Sequence, residues 1–463
     1  MNSIPFYFCI CLCLLVGTAA SAEAKETAEP QTTAEPHSTA ELRIRFPVEK
    51  FVLANGLTVL LVEDHTVPMI AYHTWYRVGS RNEKPGVTGA AHMLEHMMSK
   101  GAKKYSHKDF DRILHENGVV ENAFTIWDYT GFYMKLPSSK LELIMDMEVD
   151  RMRFLALRPE DLKSELKVVG EERRWRVDNN PTSLLRETLM GTLFKAHPYH
   201  WPVIGYMKDI EAYTSDKLRQ FYDTYYVPNN AVLVISGDIN PKVAKSLVEK
   251  YYGVLTAKEL PKSEIPAEPE AKAAQRFVTE SDVQSSTVML AYKGVNANDP
   301  DSYALDLASA VLGEGPSSRL YKRLVYQETR ATATGGHNVS IKDPGYFMVV
   351  ATLRPGQRTD ASEKALREEV ERLRSKLVTA KELQKVKSQV IKGVIDELVS
   401  IDGKARSLAV NEIVFGSYEK LFTDLEKYQQ VTAQDIQRVA NKYFQRSREV
   451  MGVLNPRKKG SSK

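Results

Sequence analysis

The chain has 463 residues, 43% of them hydrophobic and 26% charged, with a formal net charge of +4 at pH 7. That composition excludes a disordered or fibrous chain, and so small a charge with no long basic run argues against a nucleic-acid partner. The three cysteines, Cys9, Cys11 and Cys13, cluster at the start, so everything after them lacks both disulfides and thiol metal ligands.

Residues 1–22 open without Lys or Arg, run apolar from 6 to 16 and reach Ala20-Ser21-Ala22. An apolar run ending in a small-x-small site predicts a secretory signal peptide. The missing basic start leaves an uncleaved membrane tether as the other reading. Residues 23–43 repeat Thr-Ala-Glu-Pro-like units, polar and proline-punctuated, and predict a disordered linker. The roughly 420 residues that follow are too many for one core and predict two domains of about 200 residues. We expect these at 44–257 and 273–455, joined by a Pro-, Glu- and Ala-rich linker at 258–272 and followed by a basic tail at 456–463.

Residues 51–63 predict a hairpin turning at Asn55-Gly56, and 67–78 a strand rich in β-branched and aromatic residues. Next comes His92-Met93-Leu94-Glu95-His96. On a helix, His92 and His96 stand one turn apart and Glu95 shares their face. Two imidazoles aimed at one point can hold a zinc ion, with Glu95 beside them to take a proton from its water. The pattern is H-x-x-E-H, the inversion of the zincin signature; two surface histidines on a charged helix is the alternative. Met93, Met97 and Met98 read as core packing. Residues 121–133 predict paired strands, and 141–155 and 160–176 predict helices. A catalytic zinc keeps three protein ligands, and the second helix offers Glu172 or its neighbour Glu171, about 100° apart around the axis. Glu165 precedes Glu172 by two turns and can support the site from the same face. Arg173, Arg174 and Arg176 read as a solvated helix face.

With H-x-x-E-H at 92–96 and Glu172 about 75 residues further on, the chain resembles the pitrilysin-type inverzincins, the M16 zinc metallopeptidases, from about residue 44 to 455. The resemblance implies one Zn2+ per chain on His92, His96 and Glu172, with Glu95 as general base and Glu165 as a supporting carboxylate. It implies that Asn122 and Ala123 contact substrate on a free strand edge beside the zinc, where an extended peptide adds as a further strand. An ordinary sheet strand is the alternative there. With the zinc set complete, His197 and His200, in the Pro-broken segment 197–205, read as structural. The implied fold is α+β: two related domains, each a mainly antiparallel sheet packed with helices, forming a clam-shell-like chamber with a partner.

After a strand at 226–238, the second half repeats the first in outline. A strand at 286–292 leads to a helix at 301–313, where the motif helix would fall, but without H-x-x-E-H. A strand at 346–353 and helices at 361–377 and 380–398 follow. One departure stands out. Active single-chain members of the family place an Arg, and seven residues later a Tyr, where this chain has Val325 and Thr332; Tyr326 and Arg330 are near but out of register. Neither Val nor Thr can do that work. The expectation is therefore a periplasmic zinc endopeptidase subunit for peptides or unfolded segments. It would work in a hetero-oligomer with a related chain that supplies the Arg/Tyr pair. The competing classes are a non-catalytic assembly or chaperone-like subunit and a zinc hydrolase of non-peptide substrates.

Overall fold

The structure, a computed structural model, describes residues 44–457 apart from residue 263. The predicted signal peptide, the cysteines, the repeat-rich linker and most of the basic tail lie outside the described residues. Two sheets organise the rest. The first contains β1 (Glu49–Val52), β2 (Thr58–Glu63), β3 (Met69–Tyr76), β4 (Val120–Thr125), β5 (Thr130–Pro137) and β6 (Ala231–Gly237), in the order β1-β2-β6-β3-β5-β4. The second contains β7 (Gln275–Ser281), β8 (Thr287–Lys293), β9 (Ala331–Val339), β10 (Tyr346–Leu353) and β11 (Val450–Pro456), in the order β7-β11-β8-β10-β9. Apart from β1, the two orders coincide place for place. In each half the last strand, β6 or β11, slots in parallel to the first and antiparallel to the next. The molecule is thus α+β, with two related domains built on mainly antiparallel sheets.

The central strands are apolar on both faces, which requires cover on both. In β3, Ile70, Tyr72 and Tyr76 face one core while Ala71 and Trp75 face another. In β8, Val288, Leu290 and Tyr292 divide from Met289 and Ala291 in the same way. One face of each sheet is covered by helices of its own half. The other face borrows. Helix Pro181–Leu193 leaves the first half to lie on β8 and β11, burying Leu185, Leu189 and Leu193. Helix Ile401–Val410 leaves the second half to lie on β3 and β6, burying Ala405, Leu408 and Ala409. Neither helix is among the elements predicted from sequence. The linker separates the halves along the chain, yet their packing is reciprocal. Among the described residues, no helix is long and apolar enough to cross a membrane.

An ion pair and a hydrogen bond pin the borrowed helix Ile401–Val410 to the first sheet. Lys404 Nζ lies 2.6 Å from Asp64, and Asp402 lies 3.0 Å from the buried ring of His73. The Lys404 ammonium and the Thr66 hydroxyl hold the Asp64 carboxyl down at about 2, against the effect of burial. In the unfolded chain this carboxyl returns to its ordinary value of 3.8. Its stabilisation is therefore complete above about pH 4 and is lost as pH falls through the folded value near 2. Asp64→Asn should accordingly cost about 1 kcal/mol of unfolding free energy at pH 7. The cost should shrink as pH is taken from 4 towards 2. Denaturant unfolding of both proteins across that range checks it, and a pH-independent loss would remove the ion pair from the account.

Candidate metal centre and active site

The motif helix is Ala90–Met97. Ala90, Met93, Leu94, Met97 and Met98 recur at helical spacing and are buried in the first core, which fixes the roll of the helix and turns His92, Glu95 and His96 the other way. Its start is held unusually hard for so short an element. Glu83, itself buried, accepts the backbone N–H groups of Gly89 at 2.7 Å and Ala91 at 2.9 Å. These are N–H groups that a helix start leaves without partners. Burial pushes the Glu83 carboxyl well up, with those N–H groups pulling against it. Gly89 takes a φ of 90°, and a Cβ there would lie 2.4 Å from the carbonyl oxygen of Ile204. Gly205 is pressed the same way against Thr88, so the segment around 204–205 sits backbone to backbone on the helix start.

The third ligand candidate comes from helix Pro159–Arg173, which starts with Pro at its first position and buries Leu162, Glu165 and Val169. The predicted helix 160–176 does not run through as one α-helix, since residues Arg174–Asp178 form a π-turn. The reading of the arginines as a solvated face holds for Arg174, which is exposed and pairs with Glu171. It fails for Arg173. That guanidinium is buried, bound to Glu187 on the borrowed helix Pro181–Leu193, to the Gly205 carbonyl and to Asp178. Exposure was predicted from composition, whereas a ring of tertiary acceptors makes burial affordable for the charge.

His92, His96 and Glu172 come together, each offering one ligand atom, and these atoms all lie within 4.8 Å of one another. Glu172 Oε2 is 3.3 Å from His96 Nε2 and 3.7 Å from His92 Nε2. It is buried and makes no hydrogen bond of acceptable geometry to either ring. Three donor atoms that converge without satisfying one another fit a small divalent cation, and the two-His-one-Glu set suits zinc. Glu165 lies behind, 3.2 Å from His96 Nδ1, leaving Nε2 as the ligand nitrogen, and Lys100 lies 2.9 Å from the other Glu165 oxygen. Arg176 holds the second oxygen of Glu172 at 2.8 Å. Glu171 points away and is exposed. His197 lies apart, 3.1 Å from Asp343, and neither it nor His200 belongs to the cluster.

Burial, with the neighbouring His96, brings His92 down to about 4, so its ring is neutral and ready to ligate. Burial also pulls on His96, but the Glu165 and Glu172 carboxylates outweigh it and raise that ring to about 9, so a metal must displace a proton there. Glu95 is pushed up to about 7 by burial, with Thr125 and His96 opposing. The Thr125 hydroxyl donates to Glu95 Oε2 at 2.5 Å. Thr125 ends β4, the outermost strand beside β5, and Asn122 and Ala123 lie on that same strand with Asn122 exposed. Thr125, Glu83 and Arg176 are the contacts that sequence reasoning missed. Only Arg176, four residues after Glu172, had a spacing that could have revealed it.

The two-sheet fold with H-x-x-E-H on its motif helix defines an inverzincin-like protein. Comparison with known proteins gives its family. Residues 58–206, which include every residue of the site, match the family model "Insulinase (Peptidase family M16)", and residues 212–390 match "Peptidase M16 inactive domain". The chain is 33% identical over 419 residues to the zinc protease PqqE of Helicobacter pylori, covering 88% of this chain and 93% of that one. It is 26% identical over 401 residues to the uncharacterized zinc protease YmxG of Bacillus subtilis, covering 86% and 96%. The crystal structure of a protease from Helicobacter pylori superposes with a TM-score of 0.85 at 32% identity, covering 89% of this chain and all of that one. A "peptidase M16 inactive domain" structure from Pseudomonas fluorescens shares the fold at a TM-score of 0.82 and 19% identity, over 89% and 98%. The chain belongs to the M16 peptidase family.

The two adjacent glutamates can be separated by measurement. Glu172→Gln should lower zinc occupancy of the purified protein at least tenfold, because a neutral amide replaces a charged ligand. Glu171→Gln should leave it intact. Metal analysis of both variants decides, and the reverse ranking would move the ligand by one residue.

Proposed function

We propose that the chain is a zinc-dependent endopeptidase that hydrolyses peptides or unfolded polypeptide segments. The observation that carries this is the convergence of His92, His96 and Glu172, with Glu95 on the same helix face. Zinc held by these three residues would supply Lewis-acid polarisation of the water and of the scissile carbonyl. Glu95 takes the proton of the attacking water and returns it to the leaving amine. Thr125 engages Oε2, which orients the carboxylate and leaves Oε1 for the water. Glu165 keeps His96 in the tautomer that presents Nε2.

The outer edge of β4 is the place for an extended substrate. Among the described residues it has no neighbouring strand, and the Ala123 N–H is engaged by its own neighbour, Asn122 Oδ1, at 2.8 Å. A peptide carbonyl can take over that donor, gripping backbone without reading side chains. Glu95→Gln should keep fold and zinc while peptide hydrolysis falls by about 10²- to 10⁴-fold. Turnover at the parent rate in a zinc-loaded variant would end the assignment.

The same reading includes a partner. Val325 is tucked against the second core, and the Thr332 hydroxyl is bound to the Thr352 carbonyl, so neither offers a group to substrate. Arg330 is tied to Glu328, and Tyr326 stands in solvent at 80% exposure. A related chain that lacks H-x-x-E-H and carries the Arg/Tyr pair would complete the site, and a second copy of this chain cannot. Hydrolysis by the isolated chain should be weak and rise by at least about 100-fold when such a relative is added, since even one lost transition-state contact is worth on the order of 10²-fold. Full activity of the chain alone would remove the partner. The apolar segment 1–22 supports a secreted, periplasmic location as part of this proposal.

A further inference from the structure

The chain has four tryptophans, and three are in cores: Trp75 is 0%, Trp127 7% and Trp201 5% exposed. Trp175 is 73% exposed. It belongs to none of the apolar clusters, and no ring contact among the described residues involves it. An indole carries a large apolar area, so leaving one in water has a cost that a ligand or partner can recover.

Its position says which. Trp175 lies three residues past Glu172, within one turn and about 5 Å along the axis. Helical side chains lean back towards the N-terminus, so the indole covers the turn that carries Glu172 rather than the one beyond it. Val168, four residues before Glu172 and 47% exposed, precedes Trp175 by two turns and lies on the same stripe of the helix. The carboxylate at the metal cluster thus lies beside a stripe of two exposed apolar side chains on its own helix. Trp175 also sits in the π-turn Arg174–Asp178, which is fixed by Arg173 just before it and by Arg176 within it, on Glu172. Such turns recur at functional sites because they re-aim side chains. A solvated face has no use for an indole in that position; a side-chain subsite does.

We propose that Trp175 determines specificity, its indole forming the apolar wall of a subsite for the substrate side chain next to the scissile bond, and that the preferred peptides carry a large apolar or aromatic residue there. This rests on the peptidase reading above, and it adds a selection that the backbone grip of β4 cannot supply. A flat indole stacks on aromatic rings and covers long aliphatic chains, while giving little to Ala, Ser or Asp.

The test uses quenched fluorescent peptides that differ only by Phe or Ala, scanned at the positions on either side of the cleaved bond. They are hydrolysed by the full chain together with any relative needed for activity. The parent protein should favour Phe at one position on the order of tenfold in kcat/KM. Trp175→Ala should collapse that ratio towards one, and Trp175→Phe should retain most of it. A second readout needs no turnover. In zinc-loaded Glu95→Gln protein, Trp175 is the one exposed indole among the four, so binding of the Phe peptide should move tryptophan emission to shorter wavelength. The Ala peptide should not do so, and neither peptide should when Trp175→Phe is added. An unchanged Phe/Ala ratio in Trp175→Ala with no emission shift overturns the subsite, even where Glu95→Gln has abolished hydrolysis and the peptidase reading stands. Altered subunit association in Trp175→Ala, with the Phe/Ala ratio intact, also overturns it and assigns the indole to the partner interface. Continued hydrolysis by Glu95→Gln strikes the peptidase reading instead.

Discussion

Each sheet in this molecule has two apolar faces and, within its own half, helices enough for only one. Strands such as Ala231–Gly237, buried from end to end, cannot stop at a single layer of cover, because an exposed apolar face of that area would be sticky in water. The resolution is exchange: each half gives up one helix to the other. The cores around Trp75 and around Tyr346 are therefore built from both ends of the chain. The halves are obliged to fold onto one another, and the segment between them is a connection rather than a hinge between self-sufficient units.

That interdependence reaches the site. Helix Pro181–Leu193 covers the second sheet, yet its Glu187 also holds Arg173, which in turn holds the Gly205 carbonyl. Gly205 is pressed onto the start of the motif helix, where Glu83 and Gly89 complete the anchorage. An eight-residue helix has little stability of its own and could not aim two imidazoles without such support. Precision at His92 and His96 is thus bought by a chain of contacts through residues with no chemistry of their own. Keeping Glu83 and Arg173 in the interior is costly, and the backbone N–H groups on Glu83 and the acceptors around the terminal nitrogens of Arg173 offset much of that cost.

The second half shows what the same topology does without a site. Helix Asp301–Gly313 occupies the position of the motif helix but is buried along nearly its whole length. At its end a Cβ on Gly313 would fall 2.0 Å from the backbone nitrogen of Gly336 on β9. Helix and edge strand meet backbone to backbone, with no room between them for ligating side chains. In the first half the corresponding helix and edge strand meet through Glu95 and Thr125 instead. Small residues at a contact close it, and polar ones hold it open.

Much of this was legible along the chain, because local chemistry announces itself locally. His92, Glu95 and His96 need only helical spacing to share a face. Asn55-Gly56 turns the first hairpin, with Gly56 at a φ of 83°, and the helices 301–313 and 380–398 have the bounds their patterns imply. The repeat of strand against strand was visible in outline from hydrophobic runs. Tertiary structure alone decided the rest. It chose Glu172 over Glu171 for the cluster by the roll of helix Pro159–Arg173, drew Arg173 inside, and set Glu83 beneath the motif helix. It also sent two helices across to the opposite sheets. Amphipathic patterning says that a helix has a face to bury but carries no information on which surface will receive it. That choice belongs to the two uncovered sheets, which exist only once strands distant in sequence have paired.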